Sequence, residues 1–403
     1  MNVTAVTAST PQTSAVLSSA LQPALAELNG VSAGMQAFQV SVQPSGRAFA
    51  VNEGEAMLAA AIRQGVGLPY GCKDGACGSC KCKKISGVVI HGPHQSKALS
   101  DEEEATGWVL TCCGVPYSDV VLESRQVTEA GAFPIKKLPS RITVLEKKSH
   151  DVMLIKLQLP ANDGFAYRAG QYVEFILRDG ARRSYSMATA PRPALAPVQA
   201  VAQPAPTAVA GAVQAPPAPG HGLELHIRHM PGGKFTDHVF GAMKEKEIVR
   251  IEGPFGTFFL REDSVKPMIL LASGTGFAPI KAVIEDMQIK GIDRPATLYW
   301  GGRRPADLYL DDWVNTKLAE MPNLKYVPVI SNAAPEDGWH GRTGFVHAAV
   351  LQDFPDLSGY QVYACGAPIV IDSAKTAYTT DGGLPEDEFY ADSFITEADK
   401  ARA

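Results

Sequence analysis

Clustered thiols are the residues in this chain best suited to do chemistry, since four of its seven cysteines fall in one short stretch, "YGCKDGACGSCKC" at 70–82. Cys72, Cys77 and Cys80 follow the spacing C-x4-C-x2-C, and Cys112 lies further on in "VLTCC". Seven is an odd number for a fully paired set of disulfides. Clustered thiols in a chain of 403 residues therefore indicate metal or redox chemistry.

The spacing of these cysteines is that of a plant-type [2Fe–2S] site, with Cys72, Cys77, Cys80 and Cys112 as ligands. Two ferric ions and two sulfides need four thiolates, of which a tight loop can deliver three. The fourth must come from a distant segment that closes the site. Gly71, Gly75 and Gly78 are expected to let the backbone turn around the cluster and to bring amide N–H groups near the sulfurs.

Zinc is the main alternative for the cysteine loop. Zinc sites usually show paired C-x2-C knuckles, and only one C-x2-C is present here. The spacing therefore favours the iron–sulfur cluster. A zinc-dependent interaction module is the alternative, and metal analysis would distinguish the two. Cys112 is preferred to Cys113 as the fourth ligand because Cys112 is the cysteine of the "LTC" stretch. Cys82 and Cys113 are expected to be small packing residues.

The stretch "GCKDGACGSCKCKKISG…LTCC" resembles the ferredoxin domain that opens many bacterial flavin-dependent reductases, and the likeness covers roughly residues 36–403. The chain is similar to reductases of the CDP-6-deoxy-Δ3,4-glucoseen type and to those of ring-hydroxylating dioxygenases and multicomponent monooxygenases. The resemblance implies an NAD(P)H-dependent oxidoreductase with FAD and a [2Fe–2S] cluster. Its electrons would pass to a separate acceptor protein, either a deoxysugar dehydrase or an oxygenase component.

The strand "RRSYSMA" contains Arg183-Ser184-Tyr185-Ser186, an R-x-Y-S pattern. In ferredoxin–NADP reductase-like flavoproteins such a strand lines the flavin, and the resemblance gives each position a role. Arg183 would pair with the pyrophosphate, Tyr185 would stack near the isoalloxazine ring, and Ser186 would bond near flavin N5, where hydride arrives.

A second phosphate contact is expected at "PGGKFT", residues 231–236, where a glycine-rich turn feeds a helix N-terminus. The residues predicted to make this contact are Gly233, Lys234, Phe235 and Thr236.

The stretch "MILLASGTGFAPI" predicts a buried strand, the turn Gly274-Thr275-Gly276 and a helix beginning near Ala278. Glycines allow the backbone to approach a pyrophosphate, and the helix N-terminus favours negative charge. The pattern departs from G-x-G-x-x-G, because Pro279 stands where the third glycine would be. It resembles the pyridine-nucleotide loop of the same reductases.

Cys365-Gly366 in "YACGAP" stands at a predicted strand end, and the resemblance places this cysteine near the nicotinamide C4. A buried core thiol is the alternative. In "FYADSF", Phe394 is preferred over Phe389 and Tyr390 as the residue that shields the flavin. The pair Arg303 and Arg304 after "WGG" leaves NADH or NADPH open as the donor, since NADH-using relatives also carry an arginine there.

These residues must be positioned by several domains, because the strand patterns change along the chain. The predicted units are an extension at 1–35, a plant-type ferredoxin domain at 36–127, a flavin-binding domain at 138–262 and a nucleotide-binding domain at 265–403. The expected fold is multi-domain α+β and α/β, consisting of a β-grasp ferredoxin domain, an antiparallel flavin-binding β-barrel and a parallel-sheet α/β domain. The uncharged Pro/Ala-rich stretch 193–220 is expected to be an insertion in the barrel, and "GPFG" at 253–256 to cover the domain junction.

Composition excludes several other classes of function. The net charge is −5 without a basic block, which argues against nucleic-acid binding. No apolar run approaches the ~18 residues of a membrane span. The first basic residue is Arg47, so a signal peptide would lack its basic region, and a cytoplasmic location is expected. His226 and His229 are interpreted as structural, and 101–104 as a solvated helix start. A non-enzymatic electron carrier remains an alternative, to be tested by NAD(P)H-dependent bleaching.

Overall fold

The computed structural model describes residues 37–129, 133–161, 163–191 and 222–396. The predicted N-terminal extension at 1–35 and the predicted insertion at 193–220 lie outside these residues. From Phe38 onward the described chain forms one unit, in which three sheets carry the predicted site.

The first sheet is mixed and has the order β2-β1-β8-β4-β6. Its two opening strands are neighbours, while β1 and β8 run parallel. The helix Met57–Arg63 packs its apolar side into this domain's core. The elements are β1 Ala37–Gln43, β2 Arg47–Asn52, α1 Met57–Arg63, β3 Val66–Gly67, β4 Lys81–Ser86, β5 Val89–His91, α2 Asp101–Ala105, β6 Trp108–Leu110, β7 Gly114–Pro116, β8 Val120–Glu123 and β9 Thr128–Glu129.

The second sheet is antiparallel throughout, with the order β13-β12-β15-β10-β11-β14. Met187, just after β13, bridges to Leu225 on β14, which brings the two ends of the order together as a barrel. The elements are β10 Lys136–Lys147, β11 Val152–Gln158, β12 Tyr172–Ile176, β13 Arg182–Ser186, β14 Gly222–Arg228, α3 Lys234–Gly241 and β15 Ile248–Phe255. Strand β10 begins two residues before the predicted start of the flavin-binding domain at 138, because Lys136 pairs with Gly253 on β15.

The third sheet is parallel throughout, with the order β19-β18-β17-β16-β20-β21. Its central strands are apolar on both faces because helices cover them, as crossover connections require. The elements are β16 Met268–Ser273, α4 Phe277–Lys290, β17 Ala296–Gly302, α5 Asp311–Glu320, β18 Leu324–Ile330, β19 Arg342–Thr343, α6 Val346–Asp353, β20 Gln361–Gly366, α7 Pro368–Thr380 and β21 Phe389–Ser393.

Candidate functional site

The four predicted cluster ligands come together as two thiol pairs. Cys72 contacts Cys77, and Cys80 contacts Cys112, which follows β6. The neighbouring thiol and burial raise the pKa of Cys72 and of Cys80, because each thiolate would share the site with another negative charge. Four crowded thiolates therefore require a cationic centre, and this donor set fits a two-iron cluster.

Backbone N–H groups converge on these sulfurs, as the glycines led us to expect. Gly75 N–H donates to Cys112 Sγ at 3.3 Å, and Ser79 N–H donates to Cys77 Sγ at 3.4 Å. Gly75 and Gly78 both have a φ of +74°, a left-handed conformation that favours glycine. Gly71 instead leaves space beside a sulfur, because a Cβ at this position would lie 3.4 Å from Cys77 Sγ.

The two remaining cysteines of this domain lie beside the site. Cys82 is buried in the core of the domain, where burial raises the pKa of its thiol to about 12. Cys113 is half-buried and packs against the same core, and its carbonyl accepts a hydrogen bond from Gly92 N–H. Both positions agree with a packing role.

The predicted flavin strand presents Arg183 and Tyr185 on one face of β13. Arg183 donates to the carbonyl of Arg182 and has no carboxylate partner among the described residues, whereas Arg182 is paired with Glu174 and Glu252. Tyr185 packs edge-on against Phe175, with ring centroids 5.7 Å apart. The guanidinium of Arg183 has donors that suit a pyrophosphate, and the half-buried ring of Tyr185 beside it suits packing against a flavin ring.

Helix α3 begins at Lys234 with Gly233 as its N-cap, where the predicted phosphate turn ends. Its first-turn amides have no acceptor within the helix and suit an anion. The side chains contribute less than expected. Phe235 is buried against Phe175, Thr236 bonds the Met230 carbonyl, and Lys234 pairs with Asp179.

The predicted nucleotide turn is a single 3-10 turn, Gly274–Gly276, that leads into α4 at Phe277. It packs backbone to backbone against the end of β20, since a Cβ on Gly276 would lie 2.0 Å from the Cys365 carbonyl oxygen. A Cβ on Gly366 would lie 2.5 Å from the Ser273 carbonyl oxygen. The carboxyl ends of two adjacent parallel strands thus form a closely packed backbone cradle before the α4 N-terminus, with the Arg228 guanidinium beside Gly274, and such a place suits a dinucleotide phosphate.

Ser186 of the barrel and Cys365 of the parallel sheet meet through Asp392, a residue that the sequence analysis did not single out. Ser186 Oγ donates to Asp392 Oδ2 at 3.1 Å, and Asp392 lies opposite Cys365 in the pairing of β20 with β21. Burial raises the pKa of Asp392 to about 6 and that of Cys365 well above its usual value. The signal lay in "FYADSF", where only the aromatic residues were considered.

The aromatic residues around Asp392 differ in their burial. Phe389 and Tyr390 are buried, and Tyr390 stacks on Tyr363 at 4.9 Å. Phe394 is half-buried, and its N–H donates to the Gly366 carbonyl at 2.8 Å. Of the three, Phe394 is therefore the residue that lies at the end of the nucleotide cradle and is partly exposed.

The remaining candidate residues are mostly engaged. Arg304 pairs with Asp337 at 2.7 Å, whereas Arg303 is exposed beside it. His226 is buried between Tyr309 and Glu224, and His229 pairs with Asp237, which agrees with a structural role for both. No helix among the described residues has the length and apolar character needed to cross a membrane.

Family models match three parts of the chain in the predicted order. The 2Fe-2S iron-sulfur cluster binding domain matches residues 40–117, the oxidoreductase FAD-binding domain matches 213–260, and the oxidoreductase NAD-binding domain matches 270–376. These matches confirm the three predicted cofactors and favour iron and sulfide over zinc. They also confirm an oxidoreductase over a simple electron carrier.

Several curated proteins resemble the chain over nearly its whole length. The CDP-6-deoxy-L-threo-D-glycero-4-hexulose-3-dehydrase reductase of Yersinia pseudotuberculosis is 37% identical, over 88% of this chain and 98% of that protein. Reductase component 2 of terephthalate 1,2-dioxygenase from a Comamonas species is 32% identical, over 89% of this chain and 97% of that protein.

Solved structures share the fold. The cytochrome P450 reductase GcoB of Amycolatopsis superposes with a TM-score of 0.67 at 30% identity, covering 89% of this chain and 99% of that one. The ferredoxin reductase of a carbazole 1,9a-dioxygenase superposes with a TM-score of 0.60 at 23% identity, covering 90% and 99%. The predicted fold class is therefore confirmed.

Proposed function

Because this chain belongs to the iron–sulfur flavoprotein reductases that serve hexulose dehydrases and oxygenases, we propose that it carries electrons from NAD(P)H through FAD and a [2Fe–2S] cluster to a separate acceptor protein. The observation that carries the proposal is the convergence of two thiol pairs, the flavin strand and the nucleotide cradle within one unit. When bound, FAD takes up hydride and releases electrons singly to the cluster.

The chain's own residues bind and orient the reactants in this proposal. Arg183 and the first-turn amides of α3 neutralise the flavin phosphates, and Tyr185 packs against the ring. Ser186 holds its hydroxyl at the reacting edge, anchored by Asp392. Cys72, Cys77, Cys80 and Cys112 are the cluster ligands.

The nicotinamide end is held by backbone in the same proposal. Gly274, Thr275, Gly276 and Gly366 form the backbone cradle that would hold the dinucleotide beside the α4 N-terminus. Cys365 stays a neutral thiol near the nicotinamide, since burial keeps its pKa high. Phe394, at the end of the cradle, would shield the flavin.

The acceptor we favour is a deoxysugar dehydrase, which is the partner named for the relative that is 37% identical over 98% of its length. An oxygenase component is the second candidate, supported by the terephthalate 1,2-dioxygenase reductase at 32% identity. A cytoplasmic location is part of the proposal, because the chain uses its cysteines as thiols.

An anaerobic titration with NADH and then NADPH tests the proposal. We expect the flavin absorbance to bleach and the EPR signal of a reduced [2Fe–2S] cluster to follow, with one nucleotide acting at lower concentration. Zinc in place of iron and acid-labile sulfide, or no bleaching with either nucleotide, would contradict it. Adding a purified hexulose dehydrase or an oxygenase component then shows which one reoxidises the cluster.

A further inference from the structure

We propose that Lys73, Tyr172 and Glu174 form a latch that positions the cysteine loop against the flavin strand. The latch rests on the proposed function, since it fixes the geometry between the two predicted redox sites. All three are positioning residues, because none of them is a predicted cluster ligand or flavin contact.

Lys73 reaches from the cysteine loop to the barrel. Its Nζ lies 2.6 Å from Glu174 Oε1 and 3.6 Å from the centroid of the Phe255 ring. An ammonium over an aromatic face is attracted by the ring quadrupole, and the buried carboxylate adds a direct charge pair. One side chain thus joins the residue after Cys72 to two strands of the barrel.

The backbone of Lys73 supports a special role for this residue. Its φ is +67°, a left-handed backbone conformation that residues with a Cβ rarely adopt. Such conformations persist only where the surroundings determine them, and here the contacts to Glu174 and Phe255 do so.

Tyr172 makes the second connection, from the flavin side. Its hydroxyl donates to the Gly71 carbonyl at 2.9 Å, one residue before the ligand Cys72. Tyr172 also lies directly opposite Ser186 in the pairing of β12 with β13. Tyr172 therefore lies on the strand next to the one that we assign to the flavin, and its hydroxyl bonds the loop that we assign to the cluster.

The surroundings of the latch form a packed interface. Tyr172 and Phe255 belong to the apolar core of the ferredoxin domain although they are barrel residues. Tyr70 N–H donates to Thr257 Oγ1 at 3.0 Å, and Gly256 N–H donates to the Tyr70 hydroxyl at 2.9 Å. Both amides lie in hydrogen bonds between the domains, so their exchange with solvent reports on separation of the domains.

Glu174 explains why a lysine is needed on the loop. It is 4% exposed, and its Oε2 already pairs with Arg182 at 2.7 Å, so Lys73 contacts the other oxygen, Oε1. A lysine supplies a second hydrogen-bond donor, and a carboxylate can accept hydrogen bonds on both of its oxygens. Its removal weakens the docking of the domains while the barrel keeps its own ion pair.

Hydrogen exchange of the oxidised holoprotein, followed without NADH, tests the latch in the variant Lys73→Gln. We expect the Tyr70 and Gly256 amides to exchange about tenfold faster, the effect of losing one charged hydrogen bond. Lys137→Gln is the matched control. Lys137 pairs with Glu252 at 3.5 Å on the same barrel but is exposed, and we place it in neither redox site.

Single-turnover reduction by NADH provides the second measurement. In Lys73→Gln the flavin should bleach at the wild-type rate and the cluster should be reduced more slowly. Unchanged exchange at both amides, or the same acceleration in Lys137→Gln, would overturn the latch. If Lys73→Gln fails to assemble its cluster, Glu174→Gln removes the same contact from the barrel side and must accelerate the same amides. If NADH does not reduce the cluster of the wild-type protein, the proposed function is wrong. The exchange data still test the latch in that case.

Discussion

Single residues decide whether the predicted cluster ligands are the correct ones. Cys112 and Cys113 are neighbours in sequence and in side-chain contact, yet only Cys112 Sγ both meets Cys80 and accepts the Gly75 N–H. We predict that Cys112→Ser abolishes the [2Fe–2S] absorption and EPR signals and leaves FAD bound. Cys113→Ser is the matched control and should keep both signals. A cluster that survives in Cys112→Ser but not in Cys113→Ser would reverse the assignment.

Asp392 gives a prediction that depends on pH. Burial raises its pKa to about 6, so above that pH the folded chain holds a buried carboxylate that the unfolded chain holds in water. This cost is absent below about pH 4, grows between the two pKa values and is complete above about pH 6, where it is roughly 3 kcal/mol at most. Asp392→Asn keeps an acceptor for Ser186 and should therefore raise the thermal midpoint at neutral pH.

The dependence on pH separates this cause from simple repacking. The gain of Asp392→Asn should shrink as the pH falls from about 7.5 towards 4, because the wild-type carboxyl then becomes neutral. Scanning calorimetry at several pH values measures it. A gain that stays constant over this range would show that the charge of Asp392 is not responsible.

At the scale of elements, the nucleotide cradle depends on two strand-to-helix turns that touch through their backbones. A Cβ on Gly276 would lie 2.0 Å from a carbonyl oxygen, so the β16–α4 turn would have to move away from β20. We predict that Gly276→Ala lowers stability by about 1–3 kcal/mol and weakens NADH binding, because the cradle opens. Thermal unfolding and an NADH titration measure the two effects.

Gly359 is the matched control in the same domain. It is exposed, and a Cβ there would meet nothing within 4 Å. Gly359→Ala should leave the stability within about 0.5 kcal/mol and NADH binding unchanged. Normal NADH binding by Gly276→Ala would remove the cradle from the proposed site.

The sequence predicted most elements because their patterns are local. The stretches "RRSYSMA" and "MILLAS" predicted a strand of the antiparallel barrel and a buried strand of the parallel sheet, and both form. Contacts between domains could not be predicted in this way. Nothing local marks Tyr172 as a bond donor to Gly71 or Asp392 as the acceptor of Ser186, because these pairs are 101 and 206 residues apart.

The extent of a strand can also depend on its distant partner. The segment "KKLPS" contains a proline and reads as a connector, yet it forms the first part of β10. Its pairing with β15, more than a hundred residues away, makes it a strand. Propensity within a short window cannot include that partner.

At the scale of the whole molecule, the barrel is held from two sides. The ferredoxin domain meets it through the latch, and the parallel-sheet domain meets it through a buried charge network around Lys281 of α4. Lys281 Nζ donates to the Ala188 carbonyl at 3.0 Å and lies 3.1 Å from Glu224 and 2.6 Å from Glu285. Ala188 follows the flavin strand by two residues, so this network fixes the distance between that strand and the helix behind the nucleotide cradle.

Lys281→Met should therefore affect stability and electron entry together. Although burial alone raises the pKa of Glu224, its contacts with His226 and Lys281 lower that pKa to about 2, so Glu224 is charged at neutral pH. Removing Lys281 leaves this buried carboxylate with only the exposed Lys156, 3.6 Å away, as a cationic partner, which costs at most about 3–5 kcal/mol. We expect a lower thermal midpoint and slower flavin bleaching by NADH.

Lys317→Met is the matched control, because Lys281 and Lys317 both lie over the Trp313 ring, at 5.0 and 5.7 Å. Among the described residues, Lys317 pairs with the surface groups Glu320 and Gln288. Its loss should cost less than about 1 kcal/mol and leave bleaching unchanged. Equal effects of the two variants would mean that contact with Trp313, rather than the charge network between the domains, sets the approach of the nucleotide to the flavin.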